Sequence, residues 1–264
     1  MAAGVRQEHK AEDALLERIA RYWSENLHDM AIATHDVGTR EFFAELDEYH
    51  FDKQRHLERV IDYPSYAGKK LLDVGCGVGI DLMKFARAGA QVTGVDISQR
   101  AIELARTYFA YEGLQADLRV MDAEHLEFDG ATFDAVYAHG VLPYTGDPQQ
   151  LVDEVHRVLK PGGSAIFQVY HKRSWMYLLR RLAKFRLEHE GAPVFRIHTA
   201  SEMGRLVGAF EQSEIIYERF PVKTRLHGGI KGALYNGLMV GGFNTIPRSL
   251  VRRFGWHIVA KVIR

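Results

Sequence analysis

Residues 71 to 80 read LLDVGCGVGI, with Asp73, Gly75, Gly77 and Gly79 at every second position. Glycines in this arrangement let backbone approach a ligand closely, because no Cβ intervenes. A triphosphate loop would end in Gly-Lys-Ser/Thr, which this stretch lacks. A dinucleotide loop would read G-x-G-x-x-G, and its third glycine position is Ile80 here. A carboxylate two residues before the first glycine also suits a cationic ligand better than a pyrophosphate.

Other chemistry-bearing residues follow at element ends. Asp96 and Ile97 close QVTGVDI, and Asp122 and Ala123 stand in VMDAEHL. His139 ends FDAVYAHG, where its ordinary pKa of about 6.5 suits proton transfer near neutrality. Tyr144 follows in LPYTGDP, and Tyr170 and His171 lie just past IFQV, so all three border the same expected crevice. Tyr22, Trp23, His28 and His35, in RYWSENLHDMAIATHD, are candidates for a lid that touches cofactor or acceptor. The histidines show no compact metal-ligand spacing, since His28 and His35 lie seven apart in a loop, and no metal is expected. Cys76 reads as a small packing residue, and a lone cysteine excludes an internal disulfide, consistent with a cytoplasmic location.

The elements that must position these groups alternate. KLLDV, QVTGVDI, ADLRVMDA, FDAVYAHG and SAIFQVY read as short buried strands. Between them GIDLMKFARAGA, AIELARTYFAYEG (capped by Ser98) and PQQLVDEVHRVLKPGG read as helices. The alternation predicts an α/β fold with a doubly wound, mostly parallel sheet. A helical lead-in covers residues 1–65, including a helix over 11–29 and one N-capped by Thr39. Later, TASEMGRLVGAF reads as a capped helix, and EIIYERFPV as a late strand paired with KTRL. The expected divisions are 1–65 as a helical segment or lid, 66–226 as the central domain and 227–264 as an extension.

In this order the motifs resemble class I S-adenosylmethionine (SAM)-dependent methyltransferases, over about residues 69 to 170. LLDVGCGVGIDL, VTGVDIS, VMDAEHL, FDAVYAHGVLPY and VLKPGGSAIF match the family's five successive stations. The resemblance implies a Rossmann-like seven-stranded sheet and SAM as cofactor. It implies that Asp73, Gly75, Gly77 and Gly79 cradle the methionine portion, that Asp96 takes the ribose hydroxyls, and that Ile97, Asp122 and Ala123 meet the adenine. His139 is a candidate for cofactor contact and, with Tyr144, for catalysis. The general likeness is to small-molecule enzymes of the ubiquinone/menaquinone-biosynthesis type, implying O- or C-methylation of a small, lipophilic acceptor. A small-thiol S-methyltransferase and a non-catalytic SAM-binding module stay open as alternatives. An RNA methyltransferase is disfavoured, because AHGV stands where the Asn/Asp-Pro-Pro-aromatic motif would be.

With 264 residues and 47% hydrophobic content the chain can build a large core. No apolar run is long enough to cross a bilayer, and the charged N-terminus lacks a secretory apolar region. The formal net charge is zero, yet residues 219–264 hold nine Lys/Arg and no acid. Basic residues interleaved with Phe243, Phe254 and Trp256 suggest contact with an anionic membrane surface, peripheral to the inner face, or a homo-oligomer interface. Nucleic acid is the less favoured partner.

Overall fold

A computed structural model describes residues 2–184, 186–187, 189–221, 233, 235–247 and 251–264. Seven strands form one sheet: β1 (Lys70–Val74), β2 (Gln91–Asp96), β3 (Asp117–Val120), β4 (Phe133–His139), β5 (Leu159–Tyr170), β6 (Gln212–Glu218) and β7 (His257–Ile263). Their order is β3-β2-β1-β4-β5-β7-β6. The first five pair in parallel, whereas β7 runs antiparallel to both β5 and β6. The expected seven-stranded α/β sheet is therefore present.

The helices that pack around the sheet include α1 (Ala2–Glu25), α2 (Arg40–Lys53), α3 (Leu57–Val60), α4 (Ile80–Arg87), α5 (Gln99–Glu112), α6 (Pro148–Val158), α7 (Trp175–Ala183) and α8 (Ala200–Leu206), and a further short helix spans Val240–Asn244. Short polar side chains start them as the sequence suggests. Thr39 accepts from Phe42 N, Ser98 from Ala101 N, and Thr199 forms a reciprocal capping box with Glu202. Alternation along each strand splits the core in two. Leu71, Tyr137 and Ile166 face α2, α4 and α5, while Leu72, Val74, Val136 and Ala138 face α6 and α8. Phe42, Phe43 and Leu46 of α2 belong to the first of these cores, so the lead-in is built into the body of the fold. Helix α1 docks through Ser24 Oγ, 3.2 Å from Ser98 Oγ at the start of α5.

Four expectations change. The first helix runs over Ala2–Glu25 instead of 11–29. Pro161-Gly162-Gly163 belongs to β5 rather than ending a helix, and the β4/β5 register shifts there because the segment bulges. Strand β6 pairs with β7; KTRL, residues 223–226, lies outside the described residues. The division at residue 226 also does not bound the sheet, because His257–Ile263 fills the gap between β5 and β6. Ile258, Val259, Ala260 and Val262 are all buried there. Three bases of the tail are likewise used within the fold. Arg219 follows β6, Lys261 lies in β7, and Arg264 donates to the Arg157 and Leu159 carbonyls. No helix among the described residues is long and apolar enough to cross a membrane.

Candidate active site

A large cavity opens at the carboxyl ends of the parallel strands, where an open α/β sheet binds ligands. Gly75, Cys76 and Gly77 floor it after β1, Asp96 and Ile97 after β2, and Asp122 and Ala123 after β3. At Gly75 φ is +71°, and a Cβ would collide with the Val141 side chain, so this turn requires glycine. Gly79, at φ +85°, packs tightly on Ala105 and Phe109 of α5 instead of on the cavity.

Asp96 is fixed at the β2 edge. Its Oδ2 accepts from Gly77 N at 2.9 Å and its Oδ1 from Ser98 N at 2.8 Å. Asp122 Oδ1 accepts from Glu124 N at 3.0 Å, folding the loop so that Ala123 faces the cavity. Asp73 is not part of the wall: it lies buried behind the loop at 2% exposure. Burial, with the neighbouring Asp81 and Asp96 carboxylates, pushes its carboxyl well up. The acid that does reach the wall is Asp81, in the first turn of α4.

Past β4 the cavity meets a chain of hydrogen bonds. Gln168 Oε1 accepts from His56 Nε2 at 3.3 Å, and the Gln168 amide N–H donates to His139 Nε2. His139 Nδ1 then donates to Asp81 Oδ2 at 2.8 Å, and His50 Nε2 donates to Asp81 Oδ1 at 3.0 Å. Burial disfavours charge on His50, but Asp81 and Asp29 outweigh it and hold the imidazolium up to about 9. Burial pushes His139 below its ordinary value despite Asp81, and pushes His56 down to about 3. Asp81 stays below the usual carboxylate range because His50 and His139 offset its burial.

His50, Asp81 and His139 bring ligand-type atoms within 4.8 Å of one another, a grouping that sequence spacing did not suggest. Each atom already pairs within the set, so the arrangement is complete as a proton-sharing triad.

Aromatic rings roof the other side. Trp23 meets Tyr144 edge-on at 4.8 Å, and Tyr144 OH donates to Tyr170 OH at 3.3 Å. Tyr170 stacks on Trp256 at 5.0 Å. His189 ties α1 down: its Nδ1 is 3.2 Å from Tyr22 OH and its Nε2 is 3.1 Å from His28 Nδ1.

Of the residues expected at the site, Gly75, Gly77, Asp96, Ile97, Asp122, Ala123, His139, Tyr144, Trp23, His28 and Tyr170 line the cavity. Asp73, Gly79, Tyr22, His35 and His171 do not. His35 is turned outward onto Glu45 at 3.1 Å, and His171 is buried against the Gly255 carbonyl. Sequence reading missed Asp81, His50, Gln168, Arg219 and His257. A glutamine inside the apolar run AIFQVY and an acid in the first turn after the glycines were the available signals; His50 had none.

A methyltransferase domain family matches residues 72–167. The chain is 38% identical over 125 residues to the ubiquinone biosynthesis O-methyltransferase of Chromobacterium violaceum, covering 47% of this chain and 53% of that one. It is 33% identical over 159 residues to the enzyme of the same name from Ralstonia nicotianae, covering 56% and 67%. The chain thus spans about half the length of the first of these relatives. In fold it is similar to a Pyrococcus horikoshii protein (TM-score 0.55, 21% identity, 86% and 93% covered). It is also similar to an S-adenosylmethionine dependent methyltransferase from Mesorhizobium loti (TM-score 0.54, 19% identity, 81% and 98% covered). With its sheet order, glycine turn and strand-end acids, the chain belongs to the class I SAM-dependent methyltransferase family.

Proposed function

We propose that this protein transfers the methyl group of SAM to a hydroxyl oxygen of a small, mainly apolar acceptor. The observation that carries this is the continuity of one cavity. It runs from Asp96 and Asp122 at one end, past His139, to the rings of Trp23, Tyr144 and Tyr170.

The residues present fit the cofactor. Asp96 offers a carboxylate to vicinal hydroxyls, Asp122 and Ala123 an edge to the adenine, and the Gly75 turn a backbone surface without side chains. Asp73 is buried behind that turn, and its raised carboxyl favours the neutral acid, so the sulfonium and ammonium of the ligand would face the turn itself and not a charged Asp73. When bound, SAM supplies a methyl group already activated for in-line displacement. The chain's own work is then to orient an acceptor and take its proton.

His139 is our candidate for that proton. Asp81 holds Nδ1–H, which leaves the basic lone pair on Nε2. The Gln168 amide caps that lone pair, and an acceptor hydroxyl would take its place. A neutral imidazole at physiological pH, the direction in which burial moves His139, is the form that accepts a proton. Tyr144 and Tyr170 would hold the acceptor body, with Trp23 and His28 above.

The identity of the relatives as ubiquinone biosynthesis O-methyltransferases supports an oxygen acceptor with a lipophilic body. We extend this to a cytoplasmic protein in peripheral contact with an anionic membrane. Leu178 and Leu182 of α7 are 58% and 73% exposed and share a face with Arg181. The helix begins against Phe254, itself exposed and flanked by Arg252 and Arg253, where Trp175 N donates to the Phe254 carbonyl at 3.0 Å. An apolar stripe with a basic rim is the chemistry of an interfacial contact.

Methyl-labelled SAM, the pure protein and a cell extract test the reading. Label is expected in the organic-soluble, small-molecule fraction. Label in thiols or macromolecules, or none at all despite SAM binding, would overturn it.

A further inference from the structure

The acceptor half of the cavity ends in a cation that no carboxylate among the described residues pairs with. Arg219 follows β6 and lines the wall beside Gln168, Tyr170 and His257. Its backbone is held at φ +60°, a left-handed conformation costly for a residue with a Cβ. Two indole-bearing residues fasten it there. Trp175 Nε1–H donates to the Arg219 carbonyl at 3.0 Å, and Trp256 N–H donates to it at 3.3 Å.

Charges at the wall and just behind it have partners. Lys53 pairs with Asp29 at 2.6 Å and His50 with Asp81 at 3.0 Å. Glu218, the acid next in sequence to Arg219, is taken by Arg59 at 2.7 Å. Among the described residues no carboxylate lies within ion-pair distance of Arg219. Its one side-chain hydrogen bond among them is to His257 Nε2, 3.0 Å from Nη1.

That contact fixes a second unmatched donor. A guanidinium only donates, so His257 Nε2 must be the accepting nitrogen. Burial and the Arg219 charge keep His257 neutral, and its proton therefore sits on Nδ1. His257 is 1% exposed, and its Nδ1 has no hydrogen-bond partner. A buried donor without an acceptor is costly, and so is a half-buried cation without a counter-charge.

This end is also the wrong one for the nucleoside. Asp96 and Asp122 lie at the β2 and β3 edge, whereas Arg219 and His257 lie beyond β5, with β1 and β4 between.

We propose that Arg219, with His257 beside it, is a recognition subsite for a single carboxylate carried by the methyl acceptor. The inference rests on the methyl-transfer reading above and narrows it: the acceptor is a hydroxy acid, its apolar or aromatic body against Trp23, Tyr144 and Tyr170. One unmatched guanidinium matches one negative charge. A dianionic phosphate would bring surplus negative charge into a cavity whose wall already carries Asp29 and Asp81.

The test is calorimetry on the full chain loaded with S-adenosylhomocysteine. The probes are 4-hydroxybenzoate, 4-hydroxycinnamate and 10-hydroxydecanoate, each compared with its primary amide. At least one acid is expected to bind about tenfold or more tightly than its amide, the size of a charge-assisted bond. The preference should vanish in Arg219→Leu and survive, reduced, in Arg219→Lys. The proposal falls if no acid outbinds its amide in the unaltered protein, or if the preference persists in a folded Arg219→Leu. It also falls if that variant loses affinity for S-adenosylhomocysteine itself, which would assign Arg219 to the cofactor's own carboxylate. Should Arg219→Leu not fold, Arg219→Lys and the unaltered protein decide on the same comparison. Acid preference without methyl transfer to any probe would overturn the transfer reading and leave the subsite standing. Methyl transfer to acid and amide alike would do the reverse.

Discussion

His139 Nδ1 lies 2.8 Å from Asp81 Oδ2, across 58 residues of chain, and the same carboxylate holds His50 Nε2 at 3.0 Å. One acid thus orients one imidazole and neutralises another. The pair links the end of β4 to the first turn of α4, the helix that follows the glycine turn.

If Asp81 acts through His139, the two should behave as one unit. His139→Gln and Asp81→Asn are each expected to lower kcat by about 10²-fold, the usual scale for a lost proton acceptor. The double variant should be no slower than the worse single one. Steady-state kinetics on whichever acceptor the label identifies would show this. Multiplying losses would mean that the two residues act separately.

Stability should peak near neutral pH. His50 is raised in the folded protein to about 9, so its contribution is full below about 6.5 and is lost as pH rises toward 9. His56 is lowered to about 3, and His139 and His257 are lowered as well. The unfolded chain binds protons there first, so stability falls as pH drops below about 6.5. Urea midpoints at several pH values should trace this dome, and His56→Phe should shallow its acid side. A midpoint still rising at pH 9 would contradict the His50 assignment.

Asp96→Ala should cost S-adenosylhomocysteine about 100-fold in affinity, the loss of two hydrogen bonds to a charged acceptor. Circular dichroism should stay unchanged. Calorimetry reads the affinity, and a value within error of the unaltered protein would remove Asp96 from the ribose.

His189 clamps α1 by meeting Tyr22 and His28. His189→Ala should loosen that contact without touching the sheet. Trypsin should then cut α1 faster at Arg18 and Arg21, while the melting temperature falls by only a few degrees, as for loss of one or two part-buried hydrogen bonds. Equal cleavage rates would show that α1 is held by its packing alone.

Much of the cavity wall at the β1, β2 and β3 ends was legible because its determinants are local. The glycine turn, Asp96 at the end of β2 and Asp122 after β3 each sit within a few residues of a strand end, at spacings set by backbone geometry. Asp73 misled for the same reason: proximity in sequence suggested contact, but strand alternation turns it into the core with Leu71. His35 and His171 shared their neighbours' composition but not their direction.

The last strand shows the limit from the other side. HIVAKVI read as tail because basic residues surround it, yet its β-branched run was the strand signal. Inserting antiparallel between β5 and β6, it sets His257 opposite Tyr170 and Glu218.

The amino-acid sequence by itself determined the α/β alternation, the capped helices and the glycine turn with its strand-end acids, because each depends on side chains close together along the chain. Only the tertiary structure decided that His56, Gln168, His139, Asp81 and His50 form one hydrogen-bonded chain, and that Arg219 meets His257 with no carboxylate of the described residues in ion-pair reach. Those residues come from separate helices and strands, and no spacing along the chain encodes which of them meet. Sheet order and helix packing bring them together.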